Sequence, residues 1–489
     1  MTHVHTNVVR HGSLIAAVGA IATVGAMLYC FPSGAPLGWL TALAVVGACT
    51  LALARHLCGA STANSMIIIT AWTVLGVGFA VNSWWFTTAA DASAQCPALL
   101  NDDAATVWQR MAEYRLGLAA GDVRSFGYAI VLCHIIPTWV PQLQAIILLN
   151  IACTLVSIVL IGAAAQRALA PGTPQADGTS APHTARNIAG WAMAAMAING
   201  YFMSSGVIII KDAWSVLLMA VLIFVLADGR RSIVACRPAR ALIVPGIVLA
   251  ADLGLCMLIR PQMLIFMALA LGVWMVALPR SYRQWMLLLS AAAIGLYMYA
   301  SSANLSGQLI RDGEDINFFM HYNPDRLNAY SLISPAYSNL DIPEKIVRLP
   351  FSLAVQFFTP LPMGFTRHIA FGPSTILAHV SYPWYAVGGL FLFFCFFCFR
   401  GAPSALKAMA IFAILAWVAT AYPTGGTVSR YCLPWLPAVV APAAWVVAAG
   451  RWRSKAFAIW AGAFTATVAI ALVVIAVFVN HYSPQGWGG

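Results

Sequence analysis

Three basic residues stand at short turns between apolar stretches of a chain that otherwise carries few charges. They are Lys211 in "IIIKDAW", Arg260 in "LIRPQM" and Arg430 in "GGTVSRYC". Lysine and arginine neutralise phosphoryl oxygens, and arginine does so through a two-pronged hydrogen bond. The chemistry that these residues indicate is the binding of a phosphate or pyrophosphate group. The alternative for Lys211 is a tight turn whose lysine reaches out to lipid headgroups.

An acidic pair lies in "NDDAATVWQRM", where Asp102 and Asp103 precede apolar residues at helical spacing. A carboxylate can act as a general base on an acceptor hydroxyl while a phosphate departs. Because adjacent carboxylates repel each other, the pKa of one of them is expected to rise towards the useful range. The structural alternative is that the pair caps the N-terminus of a surface helix.

Four more residues are auxiliary candidates for the same site. Asp212 follows Lys211 directly, and Asp252 lies two turns before Arg260 on the same predicted helix. His134 in "LCHIIPTW" and His321 in "FFMHYNPDR" are candidates for proton transfer. A lone histidine in such a place also has a purely structural interpretation, which stays open here.

The elements that position these residues are predicted to be membrane helices. Of 489 residues, 61% are hydrophobic and only 8% are charged, whereas soluble proteins carry about a quarter charged residues. A helix crosses a bilayer with about 20 apolar residues. We therefore predict an all-α polytopic membrane protein with about 13 transmembrane helices. The spans lie near residues 13–31, 38–54, 63–84, 143–164, 188–209, 213–227, 242–259, 262–278, 285–300, 375–399, 405–422, 432–449 and 456–479.

The charge distribution predicts the orientation. Short basic segments such as "DGRRSIVACRPAR", "PRSYRQW" and "GRWRSK" are typical of cytoplasmic loops. Placing them inside gives a cytoplasmic N-terminus and, for an odd number of spans, a C-terminus on the outer side. Lys211, Arg260 and Arg430 then fall at outer turns, where the positive-inside rule disfavours basic residues. Their gathering on one face, together with the acidic pair, favours a functional site.

The chain divides into five parts under this topology. Residues 1–164 form an N-terminal bundle with a first outer loop at 85–142, and 165–187 form a Pro- and Gly-rich cytoplasmic linker. Residues 188–300 form the central helices, 301–374 a second outer loop and 375–489 the C-terminal helices. The segments "NDDAATVWQRM" and "VRLPFSLAVQFFTPLPMGF" predict short interfacial helices in the two outer loops.

Several other classes of function lack support in the sequence. The net charge of +11 is explained by cytoplasmic loops, so it does not indicate nucleic acid. No Walker A, GxGxxG or GxSxG motif is present. No metal-ligand spacing appears, so a divalent metal stays undetermined and no cofactor is predicted. The "CFFC" segment has redox spacing, but it lies in a Phe-rich span without a polar partner.

The apolar spans, the acidic pair leading into a short helix, the "KD" and "RP" turns and the late "SRYCLPWLP" together resemble bacterial GT-C-type membrane glycosyltransferases. These enzymes use polyprenyl-phosphate-linked sugars and carry their catalytic carboxylate in the first large outer loop. The resemblance implies that Asp102 or Asp103 is catalytic and that Lys211, Arg260 and Arg430 hold the lipid phosphate. It also implies a bacterial inner membrane. The acidic loop normally follows the first span in that family, whereas here it follows the third.

Two other interpretations stay open. A polysaccharide polymerase or ligase of the O-antigen type would act on undecaprenyl-pyrophosphate glycans and would depend on Arg260, Arg430 and His134 or His321. A secondary transporter or flippase would show paired broken helices near the membrane midplane. The expected partners are a polyprenyl-linked sugar or glycan, membrane lipids and other proteins of surface-polysaccharide assembly.

Overall fold

A computed structural model of the chain describes most of the predicted helices. The described ranges are 36–92, 102–117, 123–137, 142–169, 181–209, 211–234, 243–302, 342–358, 382–424 and 433–482, with short helical pieces between 18 and 29. Arg430 and His321 lie outside these ranges. So do the side chains of Asp102 and Asp103, although both residues belong to a described helix.

The described part of the chain is helical and contains no strand. The first half comprises α1 (Pro36–Cys58), α2 (Thr62–Ala92), α3 (Asp102–Arg115), α4 (Val123–Ile135), α5 (Gln142–Ala168), α6 (Ala181–Ala197), α7 (Gly200–Ser205) and α8 (Asp212–Val234). The second half comprises α9 (Ile243–Ile259), α10 (Met263–Trp274), α11 (Arg280–Ser302), α12 (Ile342–Phe358), α13 (Tyr382–Phe393), α14 (Ser404–Thr424), α15 (Leu436–Ala448) and α16 (Lys455–Tyr482).

Six of the described helices are long and apolar enough to cross a membrane: Pro36–Cys58, Thr62–Ser83, Leu143–Ala168, Asp212–Ile233, Trp384–Gly401 and Ser404–Ala421. Four shorter apolar helices accompany them, at Ile243–Ile259, Met263–Trp274, Leu433–Ala448 and Lys455–Ala471. The prediction of a helical membrane protein is confirmed. The number of crossings stays a prediction, although a described helix overlaps each of the twelve predicted spans from 38–54 onwards.

Helix α5 lies at the centre of the bundle. It packs against α8, α6, α1, α2 and α15, and most of its residues are buried. Small residues allow this close approach: Gly162 faces Met193, and a Cβ there would lie 2.6 Å from the Met193 Cγ. Such small residues are typical of helix interfaces inside membranes, where van der Waals packing rather than water drives association.

The second half of the chain closes around this centre. Helices α14 and α15 pack against each other, and α15 also contacts α6, α5 and α8. Helix α12, which carries Pro350 in its interior, packs on α14. The short helix predicted at "NDDAATVWQRM" is present as α3, and α12 covers the "VRLPFSLAVQFF" part of the second predicted segment. Its last seven residues, "TPLPMGF", lie outside the described ranges, and the position of both helices at a membrane interface stays a prediction.

Helices α3 and α4 form a unit that we call the α3–α4 hairpin. It docks on the bundle through contacts of α4 with α9. The bundle end that holds Gln142, Asp212 and Arg260 is here named the hairpin end. The other end, which holds Arg167, Asp228 and Ser404, is named the opposite end.

Candidate functional site

The guanidinium of Arg260 and the carboxylate of Asp212 form an ion pair at the hairpin end. Arg260 Nη1 lies 2.5 Å from Asp212 Oδ1, and it also donates to Ser215 Oγ at 3.1 Å. The side chains are only 11% and 4% exposed, so both charges are buried. The structure thus brings together two of the predicted residues that stand 48 positions apart in the chain.

Local sequence explains how each partner is presented. Asp212 is the first residue of α8, where a carboxylate interacts favourably with the helix dipole. Arg260 follows the last residue of α9, and the Met263 amide donates to its carbonyl at 2.9 Å, which makes a tight turn into α10. Pro261 suits such a turn because it has no amide to satisfy. The turn aims Arg260 back across the start of α8.

The helix predicted at 188–209 is interrupted just before this pair. Helix α6 ends at Ala197, and Asn199 caps the short helix α7 through a bond from the Phe202 amide to its side-chain oxygen at 2.8 Å. Residues 206–209 and Lys211 are irregular. The prediction of a continuous helix joined to α8 by almost no loop is therefore incorrect here. The reason is that asparagine side chains on neighbouring helices donate hydrogen bonds to carbonyl groups of this segment, in place of the backbone bonds of a helix.

Two buried asparagines satisfy the carbonyls of this irregular segment. Asn82 Nδ2 donates to the Val207 carbonyl and Asn150 Nδ2 to the Ile208 carbonyl, each at 2.7 Å. Non-helical backbone is tolerated inside a membrane protein only where such partners or water are available. Asn150 is the eighth residue after the start of α5, so it lies about 12 Å along that helix. The segment and Asp212 are thus embedded among the helices.

Asn150 also connects this segment to the α3–α4 hairpin. Its Oδ1 accepts a hydrogen bond from Trp214 Nε1 at 2.9 Å and one from the Tyr128 hydroxyl at 3.4 Å. The Tyr128 and Trp214 rings meet edge to face with centroids 6.1 Å apart. Burial raises the pKa of Tyr128, so its phenol stays a neutral donor. Beside Asp212 lies a hydrogen-bonded cluster, named here the polar wall, that consists of Tyr128, Asn150 and Trp214.

The hairpin docks against α9 at a point two residues from Arg260. Gly127 of α4 lies so close to α9 that a Cβ at this position would overlap the carbonyl oxygen of Leu258. Glycine is required because only its lack of a side chain permits this backbone approach. Helix α4 is thereby in direct contact with the last residues of α9, which lead into the turn at Arg260.

Side chains hold the two helices of the hairpin together. The Tyr114 hydroxyl and His134 Nε2 are 3.0 Å apart, and their rings meet edge to face. Arg115 Nη2 donates to the Ile136 carbonyl at 3.3 Å. His134 is exposed and contacts Tyr114, which is the kind of contact its structural interpretation expects. The contacts of His134 do not include the Asp212–Arg260 pair.

The remaining predicted residues have different surroundings. Lys211 is half-buried, precedes Asp212 and has interactions of its own. Asp252 is buried on α9, and its Oδ2 has no hydrogen-bond partner among the described residues. Asp102 and Asp103 are the first two residues of α3, where carboxylates interact favourably with the helix dipole, and their catalytic role stays a prediction. Arg430 and His321 stay predictions, because they lie outside the described ranges.

A second polar cluster flanks the segment that carries Arg430. Gln356 of α12 and Thr420 of α14 are hydrogen-bonded at 3.1 Å, and Trp435 Nε1 donates to Thr420 Oγ1 at 3.3 Å. The Trp417 and Trp435 rings stack with centroids 6.1 Å apart. Thr420 and Trp435 precede and follow residues 425–432 in the chain, and those residues, Arg430 among them, lie outside the described ranges.

Sequence reasoning overlooked the asparagines and Tyr128. The available signal was polar residues inside apolar runs, as in "AVNSWW" and "LLNIAC". Such a residue needs a hydrogen-bond partner when it is surrounded by lipid, and this is a reason to inspect it.

No group of three or more His, Cys, Asp or Glu that could hold a metal ion occurs within the described ranges. No known protein family, no curated protein and no solved structure matches this chain.

Proposed function

We propose that this protein is an integral membrane glycosyltransferase that transfers a sugar from a polyprenyl-phosphate-linked donor to a glycan or lipid acceptor at its hairpin end. The observation that carries the proposal is the buried Asp212–Arg260 pair beneath the α3–α4 hairpin. Charges embedded among membrane helices are costly to bury and mark sites for polar or ionic substrates. The resemblance to GT-C-type enzymes supplies the class of reaction.

In this proposal the cations hold the lipid phosphate. Arg260, Lys211 and Arg430 neutralise the phosphoryl oxygens, and Asp212 fixes the direction of the Arg260 guanidinium. Because Asp212 already offsets the charge of Arg260, a phosphate that binds there joins an existing ion pair. Lys211 and Arg430 then supply the additional positive charge that the departing phosphate needs.

Asp102 or Asp103 takes the role of general base. The carboxylate removes the proton of the acceptor hydroxyl, whose oxygen forms a bond to the anomeric carbon of the sugar. The bond between that carbon and the phosphate oxygen breaks, and polyprenyl phosphate departs with the electron pair. The positive residues stabilise the charge that develops on the leaving phosphate.

The experiment compares lipid-linked glycans and surface polysaccharide from cells that express single variants. Asp102→Asn, Asp103→Asn, Arg260→Ala and Arg430→Ala test the site, and Arg167→Ala at the opposite end is the control because it also removes a paired arginine. Loss of the catalytic carboxylate is expected to lower transfer by about 10²- to 10⁴-fold, with products one sugar shorter. Wild-type products from all four site variants would overturn the proposal.

The same assay tests the O-antigen-type polymerase or ligase. That function predicts single-repeat glycans from Arg260→Ala and Arg430→Ala, while both aspartate variants stay active. Long polymer from the arginine variants would argue against it.

The orientation belongs to the proposal as well. The opposite end carries the basic segments, so we place it in the cytoplasm and the hairpin end in the periplasm of a bacterial inner membrane. Labelling of single cysteines introduced at Leu116 and at Arg453 with a membrane-impermeant reagent tests this, since both residues are exposed and lie at different ends. Labelling from the periplasm is expected at Leu116 alone.

A transporter or flippase is a third candidate, and the interrupted α6–α7 segment favours it. Irregular backbone inside a bundle, held by Asn82 and Asn150, is the kind of element that transporters use for substrate binding. Uptake or lipid scrambling by purified protein in proteoliposomes tests this function. Sugar transfer from a lipid-linked donor in the same vesicles, without movement of the donor across the bilayer, would exclude it.

A further inference from the structure

Arg230 connects three helical elements at the opposite end of the bundle. It lies near the end of α8, and its Nε donates to the Ala277 carbonyl, in the turn after α10, at 3.0 Å. Its Nη2 donates to Ser404 Oγ, at the start of α14, at 2.8 Å. Arg230 is only 9% exposed, and its Nη1 is buried without a hydrogen-bond partner among the described residues.

The charge of Arg230 is not offset by an acid in the described part of the chain. The acid nearest to it in sequence on α8, Asp228, pairs with Arg167 at 2.7 Å. A buried guanidinium that meets only neutral acceptors has lost its hydration without gaining a counter-ion. The surroundings of Arg230 therefore favour an anion.

The start of α14 adds to the positive potential at this place. Pro403 precedes the helix and has no side-chain acceptor, so it cannot cap the N–H groups of the first turn. These groups and the helix dipole favour an anion at a helix N-terminus. Lys407 lies one turn further on the same face, where its Nζ donates to the Arg400 carbonyl at 2.8 Å.

Ser404 can donate a hydrogen bond to an anion that binds beside Arg230. Its Oγ accepts the hydrogen bond from Arg230, so the hydroxyl proton is available for donation. Among the described residues, the hydrogen bond of the Ser404 hydroxyl is the one it accepts from Arg230. Ser404 and Lys407 are partly exposed, so an anion that contacts them lies against the buried guanidinium.

We propose that Arg230, Ser404, Lys407 and the N-terminus of α14 bind the phosphoryl group of an anionic phospholipid. Arg230 lies near the end of α8 and Ser404 at the start of α14, and both helices are long and apolar enough to cross a membrane. Basic pockets between helices near the cytoplasmic ends of such spans recognise anionic headgroups. This binding is separate from the proposed sugar transfer at the hairpin end. It would fasten α8, the turn after α10 and α14 to one leaflet.

The test uses the full-length protein purified in detergent, with thermal unfolding and native mass spectrometry as readouts. Phosphatidylglycerol is expected to raise the midpoint and to stay bound, whereas zwitterionic phosphatidylcholine is not. Arg230→Gln should weaken phosphatidylglycerol binding by about 10-fold or more, because hydrogen bonds to charged groups are strong. Arg453→Gln is the matched control, since Arg453 is an exposed arginine at the same end that lies over the Trp452 ring.

Further variants keep the proposal testable if Arg230→Gln does not fold. Ser404→Ala retains the guanidinium and should still weaken binding several-fold. Ser404→Asp places a carboxylate beside Arg230 at the helix N-terminus, so it should stabilise the lipid-free protein and abolish the response to phosphatidylglycerol. The two outcomes are measured with the same thermal titration.

Three results would overturn the proposal. The first is equal stabilisation by phosphatidylcholine and phosphatidylglycerol. The second is equal loss of phosphatidylglycerol binding in Ser404→Ala, Arg230→Gln and Arg453→Gln, which would indicate diffuse attraction to the basic end. The third is full protection by millimolar inorganic phosphate, which would make the ligand a soluble phosphate.

Discussion

Arg260 and Asp212 are joined by a buried ion pair that links the turn after α9 to the first residue of α8. The distance between Arg260 Nη1 and Asp212 Oδ1 is 2.5 Å, and Ser215 adds a second acceptor. Both residues are charged where their helices are apolar, and each offsets the burial cost of the other. The pair therefore fixes the relative position of α8 and α9 at the hairpin end.

Removal of either partner of this pair should be strongly destabilising. Asp212→Asn or Arg260→Gln leaves one buried charge unpaired, which costs about 3–5 kcal/mol. Thermal unfolding of the detergent-solubilised protein measures the loss. The double variant should lose less than the sum of the single variants, because it leaves no unpaired charge.

The ion pair of Arg167 with Asp228 is the matched comparison. Its side chains are 20% and 33% exposed, so we expect Asp228→Asn to cost about 1 kcal/mol or less. An equal loss in both pairs would mean that burial does not distinguish them.

A side chain at Gly127 should disturb the docking of the α3–α4 hairpin. In Gly127→Ala the new methyl group overlaps the Leu258 carbonyl, so α4 must move away from α9 at a cost of about 1–3 kcal/mol. Faster hydrogen exchange of α4 amides and a lower thermal midpoint should report this. Gly254→Ala on α9 is the control, because no atom lies within 4 Å of a Cβ there and alanine favours the helix. Equal effects of the two substitutions would contradict the docking.

Loss of the Asn150 side-chain amide should lower the thermal stability of the protein. Asn150→Leu leaves the Ile208 carbonyl and Trp214 Nε1 without their bonds, and each unsatisfied group costs about 1–3 kcal/mol. Asn150→Asp keeps the acceptor for Trp214 but loses the donor for Ile208. Thermal unfolding should rank wild type above both variants.

An exposed polar residue provides the control for Asn150. Thr467 is exposed on α16, and its hydroxyl donates only to the Ala463 carbonyl of its own helix at 2.9 Å. Thr467→Val should therefore leave the midpoint unchanged. A small effect of Asn150→Leu, similar to that of Thr467→Val, would show that the irregular segment does not depend on the asparagine.

Substitution of Asp252 should raise the thermal stability of the protein, whereas substitution of Asp212 should lower it. Asp252 is buried and its Oδ2 has no partner within the described ranges, so an apolar residue of similar size removes a desolvation cost. We expect Asp252→Leu to raise the thermal midpoint, whereas Asp212→Asn lowers it. A lower midpoint for Asp252→Leu would reveal a partner that stabilises the carboxyl group.

Much of the helical framework could be predicted from the sequence, because apolar runs in lipid have few alternatives to a helix. Helices α5 and α14 begin and end within a few residues of the predicted spans, whereas α8 begins as predicted but continues seven residues beyond the predicted end at 227. The short helix at Asp102 was also predictable, since its apolar residues recur at helical spacing. The turns at Lys211 and Arg260 were recognisable because charge interrupts hydrophobic sequence.

The break between α6 and α7 was not predictable in the same way. Residues 188–209 are as apolar as a continuous span, and the break is stabilised by Asn82 and Asn150, which come from helices distant in sequence. A hydropathy pattern describes one segment at a time and contains no information about such partners. The polar wall of Tyr128, Asn150 and Trp214 escaped prediction for the same reason.

Composition and periodicity alone determined that this chain is a helical membrane protein and which of its charges need a special explanation. The pairing of Arg260 with Asp212 and the isolation of Arg230 from any described acid were decided only by the tertiary structure. The physical reason is that the cost of a buried charge depends on which groups lie within a few ångströms of it. That neighbourhood is set by how α5, α8, α9 and α14 pack, and one-dimensional sequence does not contain it.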